Sequence, residues 1–319
     1  MRRVVAQLSV LVMLSFDFAL AQTPQQRLYH VIVLAVGRAV QLTERVIVPE
    51  LAKMGFERGR NLTLDIRAAT PSNADALAHE LVTTPPDLII AVGNLGLVAV
   101  KRTGTRVPVV GLGPDFVELG YAETLSRPGG NLTGVVILSI ELNANRLALL
   151  HEAAPGARRI AVLMHPLGTL KDAHRDAFKA VGANAGIEVL FFEAAEAHDP
   201  VFVSMRAGGA QALAINADPQ FAREGAKLAA LAGKYRLATI CQWREMAEQG
   251  CLLSYGPRLS HLYARVADIA ARILKGADPS SVPIEQPDRF ELVVNLRTAK
   301  ALGLTIPPSL LARADEVIE

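Results

Sequence analysis

Short, unbroken apolar runs separated by stretches of helical spacing dominate the chain. Residues 31–36, 88–92, 107–112, 160–164, 189–192 and 212–216 are brief and rich in Val, Ile, Leu or Ala. They lack the alternation of a half-exposed strand, as expected for parallel strands covered on both faces. Between them, 74–82, 173–183 and 221–235 carry apolar residues at helical intervals. Pro49 falls inside the first helical pattern and is expected to start or kink that helix. Strand–helix alternation implies βαβ units and a mainly parallel sheet.

The alternation occurs twice, over about 31–112 and again over about 160–240, with the turn-rich Ser126-Arg127-Pro128-Gly129-Gly130-Asn131 between. A strand-like Leu252-Leu253-Ser254-Tyr255, a helix over 258–274, a connection punctuated by Pro279, Pro283 and Pro287, and a final apolar run at 290–295 follow. The predicted fold is α/β, with two Rossmann-like αβα lobes built on mainly parallel sheets. Residues 28–134 plus about 255–285 are assigned to the first lobe, and about 135–254 plus 286–319 to the second. A chain that passes between lobes more than once makes a hinged cleft.

Composition narrows this picture. A length of 319 residues exceeds the size at which one core usually stops growing, which favours two lobes. With 33 basic and 31 acidic side chains, the chain shows no strong charge field of the kind a nucleic-acid partner attracts. Residues 1–21 combine Arg2-Arg3, an apolar stretch and Ala19-Leu20-Ala21, the layout of a secretory signal peptide. Cleavage there would leave 31 basic and 30 acidic groups and a periplasmic protein that is not membrane-inserted. In such an oxidising compartment Cys241 and Cys251, the only two cysteines, could pair; two buried thiols are the alternative.

No catalytic constellation is present in the sequence, and no cofactor or metal is expected. Gly93-Asn94-Leu95-Gly96 and Gly111-Leu112-Gly113 follow strands without completing a dinucleotide fingerprint. There is no Walker A lysine loop and no G-x-S-x-G elbow. What remains is the rule that open α/β sheets bind ligands beyond the carboxyl ends of their strands. Those positions carry Gly37-Arg38, Asn94-Leu95, Gly113-Pro114-Asp115, His165-Pro166-Leu167-Gly168-Thr169 and Asn216-Ala217-Asp218. Asp115 and Asp218 could accept an ammonium hydrogen bond, or could serve as turn and helix caps. Trp243 could offer a stacking face and Arg244 a carboxylate clamp. Equally, Trp243 could pack in the core and Arg244 could pair with Glu245 or Glu248. Tyr255 lies at a predicted lobe crossing, where it could line the cleft or pack the hinge.

Several longer stretches carry a family resemblance. They are Gly55-Phe56-Glu57-Arg58-Gly59-Arg60-Asn61-Leu62, Arg127-Pro128-Gly129-Gly130-Asn131-Leu132-Thr133-Gly134, Leu253-Ser254-Tyr255-Gly256-Pro257, and Glu285-Gln286-Pro287 with Phe290-Glu291-Leu292-Val293-Val294-Asn295-Leu296. With these, the chain resembles the ABC transporter substrate-binding proteins of the periplasmic-binding type I fold, in the branch linked to tryptophan and tyrosine uptake. The resemblance implies a hinge of three crossings, no enzymatic activity, and a monomer that delivers a small organic solute to an inner-membrane ABC permease. It points to Asn94 and Asp115 in the first lobe and to Thr169, Asp218 and Arg244 in the second as ligand contacts. The competing expectation is an exported sensor that presents its ligand-bound state to a membrane signalling protein.

Overall fold

The computed structural model describes residues 27–36, 39–168 and 170–319. The signal-peptide expectation for residues 1–21 and the site expectations for Gly37, Arg38 and Thr169 lie outside the described residues. The first sheet contains β1 (Tyr29–Val36), β2 (Leu62–Ala69), β3 (Leu88–Val92), β4 (Val109–Gly113) and β5 (Leu132–Val136). Its order is β2-β1-β3-β4-β5, and every pairing is parallel. Strands β3, β4 and β5 are buried along their whole length, whereas β2 sits at an edge with Thr63 exposed and Asp65 and Arg67 half-exposed. In this sheet the apolar runs at 31–36, 88–92 and 107–112 mark β1, β3 and β4. They passed over β2, whose polar alternation belongs to an edge strand.

The second sheet holds β6 (Arg159–Met164), β7 (Glu188–Glu193), β8 (Ala212–Ile215), β9 (Ala238–Cys241), β10 (Leu253–Gly256), β11 (Glu291–Asn295) and β12 (Glu316–Ile318). Its order is β12-β11-β10-β9-β8-β6-β7. All of these strands run parallel except that β11, with β12 beside it, is antiparallel to β10. Tyr255 and Gly256 stay in this sheet, while Val135 and Val136 extend β5 in the first.

Helices cover both faces of each sheet. In the first, helix Leu259–Leu274 packs with β1, β3, β4 and the segment 39–53, while Ala74–Thr83 and Asn94–Arg102 cover the other face. The segment 39–53 runs as helix Ala39–Leu42, a π-helical turn Thr43–Ile47 and helix Val48–Lys53. Pro49 cannot donate to the turn behind it, and the wider turn just upstream absorbs that break. The pattern at 221–235 resolves into two helices, Pro219–Arg223 and Gly225–Lys234, that part at Glu224.

Three segments join the sheets. The chain leaves β5 for helix Leu142–Ala153 under the second sheet, leaves β10 for helix Leu259–Leu274 under the first, and returns through 285–290 to β11. The last crossing is tied to β5: Val136 N–H donates to Glu285 O at 2.9 Å and Glu285 N–H to Gly134 O at 2.8 Å. The Thr133 hydroxyl adds a bond to Val282 O at 2.7 Å. Gly134 itself has φ +145°, and a β-carbon there would collide with Gly111 O, so no other residue fits.

Candidate functional site

The carboxyl ends of the parallel strands in the two sheets approach one another. A β-carbon on Gly93, after β3, would sit 4.0 Å from Cγ of Pro219, after β8. Gly93 has φ +85° and begins the helix Asn94–Arg102, a backbone setting that favours glycine. The loops after β3 and β8 therefore come close to one another.

At these ends several polar atoms are buried without a hydrogen-bond partner in the protein. Asn94 Oδ1 is one, in the first sheet's loops; Asn216 Oδ1 and both Oε1 and Nε2 of Gln242 are the others, in the second. Asn216 is 8% exposed and Gln242 only 2%. Buried amides are normally satisfied, and each lost hydrogen bond costs about 1–3 kcal/mol. Unpartnered amide atoms thus lie after strands of both sheets, at the ends where open α/β sheets bind ligands.

Other expected site residues have different work. Asp218 Oδ1 accepts the Gln220 N–H at 2.7 Å, capping the helix Pro219–Arg223. Burial raises its pKa, and the nearby His165 opposes that shift. The His165 Nδ1 accepts the Leu167 N–H at 3.2 Å, and its ring stands edge-on to Phe221 with centroids 6.1 Å apart. Asp115 Oδ1 accepts the Val117 and Glu118 N–H groups at 2.8 and 3.1 Å, a turn cap. At Gly113 a β-carbon would collide with Leu97, so that glycine makes room for packing inside the lobe. Leu95 is half-buried against the same apolar cluster.

The aromatic and cationic candidates of the second sheet are committed to the scaffold. Trp243 is buried in the cluster with Phe221, Met246 and Cys251, which is the packing alternative. Arg244 is ion-paired with Glu248 at 2.9 Å and with Glu316, and both partners hold its guanidinium away from a free clamp. The Tyr255 ring leans on Phe290, centroids 6.1 Å apart, and packs against the core of the second sheet. The expected option of a Cys241–Cys251 bridge is not realised: both are free and buried. Burial pushes the Cys241 thiol well up, and its sulfur lies 3.3 Å from Leu253 O.

Sequence reasoning missed Gln242 and Arg146. Gln242 sits one residue before the conspicuous Trp243-Arg244. Arg146 occupies the apolar stripe of helix Leu142–Ala153, in step with Leu142, Leu149, Leu150 and Ala153. A charge on such a stripe was the available signal. An open concavity of about 450 Å³ also lies between the second and third crossings, lined by Arg258, His261, Arg265, Glu285, Asp288 and Arg289. Two of its arginines are already paired, Arg265 with Glu285 at 2.6 Å and Arg258 with Glu291. Among the described residues there is no cluster of side chains suited to a metal ion and no helix long and apolar enough to cross a membrane.

Known proteins share this architecture. A tyrosine-binding protein of Clostridioides difficile is 22% identical over 264 residues, covering 81% of this chain and 75% of its own. A conserved domain protein from Vibrio cholerae superposes with a TM-score of 0.84 at 24% identity, covering 91% of this chain and 99% of its own. A domain from Streptococcus pneumonia solved in complex with L-Trp gives 0.83 at 21% identity, covering 92% and 100%. These likenesses place the two lobes in the periplasmic-binding-protein type I fold. Residues 30–318 match the family described as ABC transporter substrate binding protein, whose members bind small-molecule ligands and work with ABC permeases. The chain belongs to the ABC transporter substrate binding protein family.

Proposed function

We propose that this protein is the capture subunit of an ABC importer, closing its two lobes on an amino acid or a related small organic solute. The observation that carries this reading is the set of unpartnered buried polar atoms on Asn94, Asn216 and Gln242, drawn from loops of both sheets. A solute spanning the cleft would satisfy them together, which couples binding to closure. The similarity to a tyrosine-binding protein and to a domain holding L-Trp supports an amino acid as the solute. The reading includes an extracytoplasmic location, a monomer that carries no catalysis of its own, and a membrane permease as the partner. A lobe division at the three crossings, near residues 137–141, 257–258 and 285–290, provides the hinge.

The test is thermal shift followed by calorimetry with the twenty amino acids and simple aromatic acids. A ligand held at a hundredfold excess over its Kd should raise stability by about 2.7 kcal/mol. Absence of binding by every amino acid would overturn the amino-acid reading.

A further inference from the structure

Arg146 is the most unusual charge in the molecule. It is 1% exposed, on the helix that follows the first crossing and lies under β8, β9 and β10. Nε donates to Tyr255 O at 2.9 Å, and Nη1 donates to Ser139 O at 3.1 Å and to Asn143 Oδ1 at 3.0 Å. Nη2 is buried and has no partner. Among the described residues no carboxylate forms an ion pair with it, and Glu141 acts only at longer range. Burial lowers its pKa to about 9, so it stays protonated at neutral pH.

A buried cation left unpaired costs several kcal/mol and survives only where something else compensates. Carbonyl dipoles do part of this here. Two of the three guanidinium nitrogens hold backbone oxygens, one from the first crossing, Ser139 after β5, and one from the end of β10, Tyr255, two residues before the second crossing. The neighbourhood is the cleft end of the second sheet. A β-carbon on Gly256 would collide with Gln242 O, which places the Arg146–Tyr255 bond one residue from the unpartnered Gln242 amide. Nη2 is thus an unpartnered donor on a side chain bonded to the carboxyl end of β10, beside the glycine that stands against Gln242.

We propose that Arg146 is the anion receptor of the cleft: the solute carries a carboxylate, and Arg146 Nη2 receives it as the lobes close. This rests on the solute-capture reading and deepens it, because solutes without a carboxylate are then excluded as a class. The same guanidinium grips Ser139 O in the first crossing and Tyr255 O at the end of β10, so the arriving anion is tied to one segment between the lobes and to the strand that leads into the next. A guanidinium suits this task because its planar donors can serve several acceptors at once without losing charge.

The experiment is calorimetry on a panel of amino acids, aromatic and aliphatic carboxylic acids, the carboxamide of each acid, and neutral sugars and nucleosides. The wild-type protein should bind at least one acid about 100-fold more tightly than its carboxamide, the scale of losing one charge-assisted partner in a buried site. In Arg146→Gln the preference for the acid should collapse toward unity, and in Arg146→Lys it should persist at lower affinity. The comparison of acid and carboxamide on wild-type protein decides the matter even where a variant fails to fold. Equal binding of acid and carboxamide, an unchanged preference in a folded Arg146→Gln, or binding confined to sugars or nucleosides would overturn the proposal, as would no acid binding at all. A carboxylic acid that is not an amino acid, bound in an Arg146-dependent way, would uphold it while refuting the amino-acid reading.

Discussion

Helices Leu142–Ala153 and Leu259–Leu274 occupy similar places, each beginning where the chain has just passed from one lobe to the other. Their buried faces differ. The helix under the first sheet buries Leu262, Tyr263, Val266, Ala267, Ile269, Ala270 and Ile273, with no charge among them. The helix under the second buries Leu147, Leu149 and Leu150 together with Asn143 and Arg146, and Asn143 reaches a third buried polar group, Nδ1 of His174, at 2.8 Å. An apolar stripe is sufficient to dock a helix on a sheet. Polar groups that replace part of such a stripe weaken the docking unless they are wanted for something else, and on the proposed reading they are wanted for the solute.

The comparison can be broken first at its apolar positions. Leu150→Ala and Ile269→Ala, both at fully buried sites, should each lower stability by about 2–5 kcal/mol in denaturant melts. Equal costs would show that the two helices dock by the same means. A far smaller cost at Leu150 would mean that the polar groups carry the second helix.

Acid separates the two helices next. Burial lowers the His174 pKa from 6.5 to about 4, with the Arg146 charge adding to the effect. The unfolded chain takes up this proton below about pH 6.5, whereas the folded chain resists it until about pH 4. Stability should therefore fall by about 3 kcal/mol as pH drops through that window, and be unaffected by His174 above it. Urea melts of wild type and His174→Phe between pH 4 and 7 would check this; an identical slope in the variant would contradict it.

At Arg146 itself, Arg146→Met exchanges three hydrogen bonds, two to backbone carbonyls and one to the Asn143 amide oxygen, for relief from an unpaired buried charge. The two effects oppose each other, and the net change should stay within about 2 kcal/mol. A loss near 5 kcal/mol would make Arg146 a structural clasp above all. The smallest effect belongs to the loop caps. Asp218→Ala should cost about 1 kcal/mol through the lost cap on Gln220, read as a small drop in Tm.

How much of this could be read in one dimension follows from where burial is visible. The runs at 31–36, 88–92 and 160–164 reappear within β1, β3 and β6 because strands covered on both faces have to be apolar throughout. β2, with Thr63, Asp65 and Arg67, and the three-residue β12 were too polar or too short to register. In the site, the strand-end rule found the loops of Asn94 and Asp218. It could not choose among side chains inside a loop, and chemistry drew attention to Trp243 and Arg244. The structure gives those two a core and a pair of glutamates, and leaves the plain amide of Gln242 open. Arg146 is joined to the cleft by contacts 7 and 109 residues away in sequence. No local pattern announces such a contact.

On the proposed reading stability is given up at the strand ends in favour of binding, and Gln242 is the residue at which the two can be separated. Its two side-chain polar atoms are buried and unpartnered, so Gln242→Leu removes a desolvation cost of about 1–3 kcal/mol. Measured together by calorimetry against the best solute of the panel and by thermal melting, the variant should bind at least about tenfold more weakly and melt at the same or a higher temperature. Unchanged affinity, or a melting temperature that falls along with affinity, would contradict the account.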